Sequence, residues 1–342
     1  MLPLTANLMS NNPMDAHISQ TSVINISRLF ESDAPADFQL DQKIVDALRH
    51  QGSFVCIGYP GWEGLEQRAR CITEFFSLPD EMKLSIATQQ VTSSNSNGYR
   101  GYYPPPKVRG WSDKERLDIG PEPPLEAPLL QGGAIFRESN RWPVLEPHEG
   151  WRRECLAHFA QIREITVALM DAIARGLGLD NIEFKRLYHG RNGTVRLLNY
   201  LSPSSRSGSK AYVSSLEMVD DGRRWIIGQE HVDTTVLTLL WQNKKGLQMK
   251  DSQGYWRDVP VVPGGLSLHC GDVFNRLTNG VINAARHRVV GDGESRMSLA
   301  MFLEPDWATK VDPPDVNAPL TYAAHLLNIF SARLEKQNKT SK

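Results

Sequence analysis

Two histidines and one aspartate are the residues of this chain whose types and spacing could bind a metal ion. His231 and Asp233 lie two positions apart, and His287 follows much later in another apolar segment. Two imidazoles and one carboxylate suit Fe(II) with coordination positions left open for other molecules. A His-x-Asp tripeptide arises by chance in roughly every second chain with this many histidines, so the surrounding sequence has to support the hypothesis.

The segments around these residues predict β-strands. His231 and Asp233 precede the apolar segment 235–241, and residues two apart in a strand share one face, so both side chains would enter one cavity. His287 lies in the strand-like segment 285–290. His269 is an alternative third ligand, and we rank it lower because the Gly-Asp pair that follows it would end its strand.

An arginine and a serine beyond His287 could hold a carboxylate. Their segment alternates between two sets of residues, so one face would line a barrel interior and the other would pack under helices. A buried arginine is costly unless it is paired, and an anion with two carboxylate oxygens would satisfy it, helped by a serine hydroxyl. A solvated arginine is the competing interpretation. The interior set is Arg296, Ser298, Ala300 and Phe302, and the other set is Met297, Leu299, Met301 and Leu303.

Composition excludes several other classes of protein. The formal net charge of the 342-residue chain is −1, which gives no sign of a nucleic-acid partner or an anionic membrane surface. No apolar run approaches the ~20 residues that span a bilayer. Residues 1–21 do not resemble a signal peptide and predict a disordered leader. The four cysteines lack metal-site spacing and disulfide density, which favours a reducing, cytoplasmic location.

Apolar periodicity predicts a helical and mixed N-terminal region over 22–180. A short strand at 23–26 precedes a helix at 37–50, a strand at 53–58 and a helix at 65–76. Another helix begins at Pro79, and the longest helical pattern covers 149–179. Residues 88–97 and 120–148 show no clear period.

Residues 181–318 predict a β domain that carries the candidate ligands. Short β-branched and aromatic segments alternate with turn residues, which is typical of an antiparallel sandwich or barrel. A polar insertion at 204–223 interrupts it, and one interpretation of this insertion is a lid. Residues 319–342 predict a C-terminal helix and tail. The expected strands are 194–201, 224–229, 234–242, 247–250, 255–259, 266–269, 286–290 and 296–303.

The sequence resembles the 2-oxoglutarate/Fe(II)-dependent dioxygenases of the isopenicillin N synthase-like family over about residues 22–335. Ordered matches to motifs of that family carry the resemblance. They are the strand Gly52–Ile57, the junction Phe75–Lys83, the segments Gly98–Tyr102 and Asn140–Pro143, the strand Arg196–Tyr200, and Gly271–Phe274 with Thr278–Gly280 ahead of His287–Val290.

The resemblance implies a mainly β fold with flanking helices, namely a distorted double-stranded β-helix (jelly roll) with a helical N-terminal region. It implies His231, Asp233 and His287 as the Fe(II) ligands. It also implies Arg296 and Ser298 as the clamp on the C5 carboxylate of 2-oxoglutarate, with the Asn199-Tyr200 pair near that co-substrate. The expected activity is the oxidation of a small-molecule metabolite with O2, in biosynthetic tailoring. Succinate and CO2 would be the co-products, ascorbate is a candidate supporting reductant, and a monomer is the expectation.

Several residues are candidates for contact with the substrate. The family's substrate pocket borders a loop that holds Tyr102, Tyr103 and Arg109 here, and Phe274 and Phe302 could line that pocket. Plain surface-loop and core roles are the alternatives. Leu201-Ser202-Pro203 stands where many members have a second tyrosine and proline, which leaves the substrate open. Two other hypotheses remain: a 2-oxoglutarate-independent Fe(II) oxidase of the same fold, and a catalytically silent binding protein.

Overall fold

The computed structural model describes residues 21–32, 35–88, 98–105, 114–127, 133–179, 182–201, 217–219, 222–312 and 316–340. Almost all of the predicted leader, most of the 204–223 insertion, and Arg109 lie outside these residues. The disordered leader and the lid therefore stay predictions.

Helices form where the sequence supplies both apolar periodicity and end signals. Asp37 caps the first helix, because its Oδ1 accepts hydrogen bonds from the backbone N–H groups of Gln39 and Leu40 at 3.1 and 3.0 Å. Gly52 ends that helix with a left-handed φ of 73°. The helices are α1 (Phe38–Gln51), α2 (Leu65–Thr73), α3 (Asp80–Leu84), α4 (Trp151–Gly176), α5 (Ile182–Lys185), α6 (Asp272–Leu277) and α7 (Tyr322–Thr340).

Thirteen strands of the described residues form two sheets. The strands are β1 (Val23–Asn25), β2 (Ser53–Ile57), β3 (Gly101–Tyr103), β4 (Lys114–Ile119), β5 (Gly193–Tyr200), β6 (Met218–Val219), β7 (Arg224–His231), β8 (Leu237–Gln242), β9 (Leu247–Lys250), β10 (Trp256–Asp258), β11 (Leu266–Cys270), β12 (His287–Gly291) and β13 (Arg296–Leu303).

The larger of the two, the major sheet, has eight strands in the order β1-β2-β11-β8-β13-β5-β4-β3. The smaller one, the minor sheet, has five strands in the order β10-β9-β12-β7-β6. Residues of both sheets meet in a shared cluster, and we call the space between the sheets the barrel interior. The expected jelly-roll fold with flanking helices is confirmed.

The two faces of β13 pack against different parts of the protein, as the alternation of its residues predicts. Leu299, Met301 and Leu303 belong to the large core that includes the apolar side of α4. Ala300 and Phe302 belong to the cluster of the barrel interior. The same alternation continues into β5, because its residues stand opposite those of β13 in an unbroken antiparallel register.

Two features of the fold differ from the sequence-based expectation. Strands β1 to β4 come from the 22–180 region yet lie in the major sheet, so this region contributes to the sheet itself as well as packing on it. Helix α6 directly follows β11, where no helix is expected. The boundary at 180/181 stays a prediction. Within the described segments, every helix is too short or too polar to cross a membrane.

The packing of β13 against the helices predicts an asymmetric effect of two leucine substitutions. Leu299 is 2% exposed and Leu145 is 59% exposed. We expect Leu299→Ala to lower the free energy of unfolding by about 2–5 kcal/mol, because it leaves a cavity under α4. Leu145→Ala should change it by no more than about 0.5 kcal/mol. Urea unfolding measures both, and equal losses in the two variants would contradict this packing.

Candidate active site

The two candidate histidines lie side by side on neighbouring strands of the minor sheet. His231 is the last residue of β7 and His287 is the first residue of β12. They stand opposite each other in the antiparallel register, and their ring centroids are 4.2 Å apart. Asp233 follows β7 in the connection to β8, outside either strand. The expectation that His231 and Asp233 share a strand face is wrong, because the chain leaves the strand after His231.

Backbone carbonyl groups orient both imidazoles. The Nδ1 atom of His231 lies 2.7 Å from the carbonyl oxygen of Gln229, and that of His287 lies 3.1 Å from the carbonyl oxygen of Ala285. A carbonyl can only accept, so each Nδ1 carries the proton and each Nε2 carries the lone pair. Both Nε2 atoms are 3.8 Å from Oδ1 of Asp233. The three side chains thus offer ligand atoms that all lie within 4.8 Å of one another.

These distances suit a single metal ion. Two atoms that each lie about 2.1 Å from one ion cannot be more than about 4.2 Å apart, and both Nε2–Oδ1 distances fall inside this limit. Nitrogen from two histidines and oxygen from one carboxylate is the donor set of non-haem Fe(II) sites with open positions. His231, Asp233 and His287 could therefore hold Fe(II).

Two further side chains hold the remaining oxygen of Asp233. Oδ2 accepts hydrogen bonds from Oγ1 of Thr238 at 2.6 Å and from Nε2 of His269 at 2.9 Å. Both residues lie on strands of the major sheet. His269, the alternative ligand, thus contacts Asp233 through the oxygen that faces away from the other two histidines. Its contact turns Oδ1 towards His231 and His287.

Burial and neighbouring groups together set the protonation states of the three candidate ligands. It lowers the pKa of His287 to about 3 and also lowers the pKa of His231. Burial alone would raise the pKa of Asp233, but His287 and the hydrogen bond from His269 bring it well below its usual value. Near neutral pH the site therefore presents neutral imidazoles and an ionised carboxylate, which are the forms that bind metals.

Arg296 and Ser298 lie on the interior face of β13, and both are buried. Nη2 of Arg296 donates to Oε1 of Gln242 at 2.6 Å, and Nε donates to the carbonyl oxygen of Lys244 at 3.3 Å. Nη1 of Arg296 and Oγ of Ser298 are buried and have no hydrogen-bond partner among the described residues. An unpartnered buried donor costs about 1–3 kcal/mol. A carboxylate would satisfy both, so the pair fits one end of a dicarboxylic acid such as 2-oxoglutarate.

The structure separates Tyr200 from Asn199. Tyr200 stands opposite Arg296, and its ring lies 5.1 Å from the guanidinium carbon. Asn199 stands opposite Met297 on the other face, where its Nδ2 donates to Oε1 of Glu115 at 2.8 Å. Neighbours in a strand point to opposite faces, so the two residues cannot both face the barrel interior. Tyr200 stands beside Arg296, and its place near the co-substrate stays a prediction, whereas Asn199 faces away.

The candidate substrate-contact residues also divide between the core on the helix side and the barrel interior. Tyr102 is a core residue of the helix side, where its hydroxyl donates to Oε2 of Glu115 at 2.5 Å. Phe274 lies on α6 in the same core, so the expectation that these two residues line the pocket is wrong. Tyr103 and Phe302 face the barrel interior. Arg109 lies outside the described residues.

Sequence reasoning missed the residues that support the ligands. Thr238 and Gln242 lie on β8, four positions apart and on one face, and each holds a candidate site residue. Their alternation with Leu239 and Trp241 is a signal that could have identified them. Lys114 and Arg116 also point into the barrel interior, from a strand that was not expected.

Two family sequence models match the chain. The model of the 2OG-Fe(II) oxygenase superfamily matches residues 195–305. The model of the N-terminal region of non-haem dioxygenases in morphine synthesis matches residues 22–144. Together they cover well over half of the sequence. The chain belongs to the 2OG-Fe(II) oxygenase superfamily.

Curated relatives are similar over most of their length. Isopenicillin N synthase of Streptomyces clavuligerus is 25% identical over 93% of this chain and 96% of its own. A 2-oxoglutarate-Fe(II) type oxidoreductase of Aspergillus fumigatus is 26% identical over 83% and 82%. Among solved structures, a full-length Neurospora crassa protein in complex with alpha-KG and 5-formyluracil shares the fold with a TM-score of 0.72. The match covers 91% of this chain and 95% of that protein at 24% identity.

Family membership defines the enzyme class. The chain is a 2-oxoglutarate-dependent dioxygenase, and this family uses Fe(II), 2-oxoglutarate and O2. The candidate ligands and the Arg296–Ser298 pair fit this requirement.

The hydrogen bond from His269 to Asp233 predicts an effect on metal binding. We expect His269→Ala to weaken Mn(II) binding by about 10- to 100-fold, because Oδ1 of Asp233 loses its orientation. His269→Gln places an amide N–H near the position of Nε2 and should restore part of the affinity. His50→Ala removes an exposed histidine and serves as the control. Equal Mn(II) affinity of His269→Ala and the wild type in equilibrium titration would refute this positioning role.

Proposed function

We propose that this dioxygenase oxidises a small organic molecule, with His231, Asp233 and His287 as the Fe(II) ligands and with Arg296 and Ser298 as the clamp on the C5 carboxylate of 2-oxoglutarate. One observation carries the proposal. Nη1 of Arg296 and Oγ of Ser298, two buried donors without a partner among the described residues, lie on the same interior face as Thr238, which holds Asp233.

The protein's own residues hold and orient the reactants. His231 and His287 bind in fixed tautomers, because backbone carbonyl groups accept their Nδ1 protons. Asp233 binds through Oδ1, while Thr238 and His269 hold Oδ2. Gln242 fixes one arm of the Arg296 guanidinium and leaves Nη1 directed to the co-substrate. Such a charge-assisted, bidentate contact sets both the affinity and the orientation of 2-oxoglutarate.

The bound metal and co-substrate supply the oxidising power for the reaction. The co-products would be succinate and CO2. Hydroxylation is the default outcome, and desaturation or ring closure would use the same site. The relatives differ widely in the small molecules that their names and titles mention, which supports a small-molecule substrate without identifying it. A monomer in the cytoplasm without a nucleic-acid partner remains our expectation.

The proposal predicts loss of activity when the ligand set is broken. Succinate formation should depend on added Fe(II), 2-oxoglutarate and O2. His231→Ala and Asp233→Ala should each lower it by at least about 100-fold, as expected when a metal centre is lost. Coupled measurement of succinate and O2 uptake over a substrate panel tests this, with circular dichroism as the control for folding. Wild-type rates in these variants would refute the ligand assignment, and turnover indifferent to 2-oxoglutarate would favour the oxidase alternative.

A second prediction addresses the co-substrate clamp alone. Arg296→Gln should weaken 2-oxoglutarate binding by about 100-fold, because it removes a charged donor from a buried site. Mn(II) binding should remain as in the wild type, since Arg296 does not contact the ligands. Calorimetric titration of 2-oxoglutarate into the Mn(II)-loaded protein measures the effect without any substrate. Arg286→Gln removes an exposed arginine paired with Glu230 and serves as the control. An unchanged 2-oxoglutarate affinity in Arg296→Gln would contradict the clamp.

A further inference from the structure

Strand β4 places charged residues inside the barrel. Lys114, Arg116 and Asp118 stand opposite Tyr200, Leu198 and Arg196 of β5. Leu198 and Tyr200 belong to the interior cluster, so the three β4 side chains share that face. The residues between them, Glu115 and Leu117, point to the helix side.

The cations of this surface outnumber its carboxylates. Arg196 takes up Asp118 in a bidentate pair with distances of 2.7 and 2.8 Å. Arg116 shares Asp118 with Arg196 through a longer ion pair of 3.6 Å, and its guanidinium carbon lies 3.8 Å from the centre of the Tyr103 ring. Its Nε has no hydrogen-bond partner in the described part of the chain. Lys114 makes no ion pair with any described carboxylate, and its Nζ lies 5.3 Å from the centre of the Tyr200 ring. The next buried carboxylate, Glu304, is hydrogen-bonded to Thr194 and Tyr322 and faces Arg100.

This cationic surface shares the interior face of the major sheet with Thr238, which holds Asp233 of the candidate metal site. The Arg196 guanidinium lies 4.9 Å from the centre of the Phe302 ring, and Phe302 stands beside Thr238, which donates to Asp233. Across β5, Lys114 stands level with Arg296 and Arg116 stands level with Ser298. Both can therefore contact a molecule that lies beside the co-substrate in the barrel interior.

The charges around the candidate metal site sum to zero without Lys114, Arg116 and Arg196. Under the proposed function, a divalent ion and Arg296 offset Asp233 and the two carboxylates of 2-oxoglutarate. Among the described residues, Lys114, Arg116 and Arg196 then oppose Asp118 and leave an excess of positive charge on a partly buried surface. Buried charges are stable only when paired. The one other reactant of this cavity is the substrate.

We propose that Lys114 and Arg116 bind an anionic group of the substrate, so the enzyme acts on small organic acids. A carboxylate or a phosphate would supply the missing charge, and its apolar remainder would lie against Tyr103 and Phe302. This inference rests on the proposed function. Burial lowers the pKa of Lys114, and Arg196 and Arg116 lower it further, whereas Tyr200 raises it.

Matched acid and amide pairs test this inference on the protein loaded with Mn(II) and 2-oxoglutarate. The probes are phenylacetate, 3-phenylpropionate and indole-3-acetate, each beside its primary amide, with phenyl phosphate as the phosphate arm. Calorimetric titration should show that the wild type binds at least one acid tenfold more tightly than the corresponding amide. Tighter binding of phenyl phosphate than of every carboxylate would assign the site to phosphates.

Substitutions then locate the contact. Lys114→Met and Arg116→Met should each weaken acid binding at least tenfold and leave amide and 2-oxoglutarate affinities unchanged. Lys114→Arg should retain acid binding, and Lys244→Met and Arg286→Met remove exposed cations as controls. The glutamine variants at both positions provide a second series if methionine impairs folding.

Three results would overturn the inference. Acids that bind the wild type no better than their amides would refute it, as would acid affinity unchanged in the variants. Equal losses for acids and amides would assign Lys114 and Arg116 a purely structural role. Titration of 2-oxoglutarate comes first. Its failure to bind the metal-loaded wild type would overturn the proposed function together with this inference, whereas normal 2-oxoglutarate binding without a preference for acids would overturn the inference alone.

Discussion

Desolvation of charged groups between the two sheets is the constraint on which the site depends. The barrel interior is walled by apolar residues such as Leu240, Val289 and Ala300, and a charge placed among them needs a partner. Asp118 and Arg196 satisfy each other, and Asp233 is held by Thr238 and His269. Arg296 and Ser298 retain atoms that no described residue satisfies. These two donors are therefore available to a bound anion.

The two sheets make different contributions to the candidate metal site. The minor sheet supplies His231 and His287, and the connection to β8 supplies Asp233. The major sheet supplies the groups that hold Oδ2 of Asp233 and the strand that carries Arg296. An ion bound here would link both sheets through protein ligands. The spacing of the sheets and the geometry of the ligands therefore depend on each other, because interiors pack at near-crystalline density.

The alternation of residues allowed much of this arrangement to be predicted from the sequence. Strand β13 has the expected bounds, and its interior face carries Arg296 and Ser298, because one apolar and one mixed face leave a single register that buries the apolar side. Strand β4 was missed, since Lys114, Glu115 and Arg116 give no apolar alternation, and the partners that hold Glu115, Lys83 and Asn199, are distant in sequence. Asn199 was placed by adjacency to Tyr200, although adjacent strand residues diverge. Phe274 was misplaced because no local signal separates a buried helix from a short strand of the same composition.

Strand β4 holds its place through backbone pairing with β3 and β5, and this pairing does not depend on the identity of its side chains. Its interior positions can therefore differ between relatives while the sheet, the candidate iron ligands and the Arg296–Ser298 pair stay intact. Under the proposed roles, recognition and reactivity lie on separate segments of the chain. Replacements on this one strand would then change the substrate and leave the candidate metal ligands in place, which gives the scaffold an evolutionary freedom that the ligand set does not share.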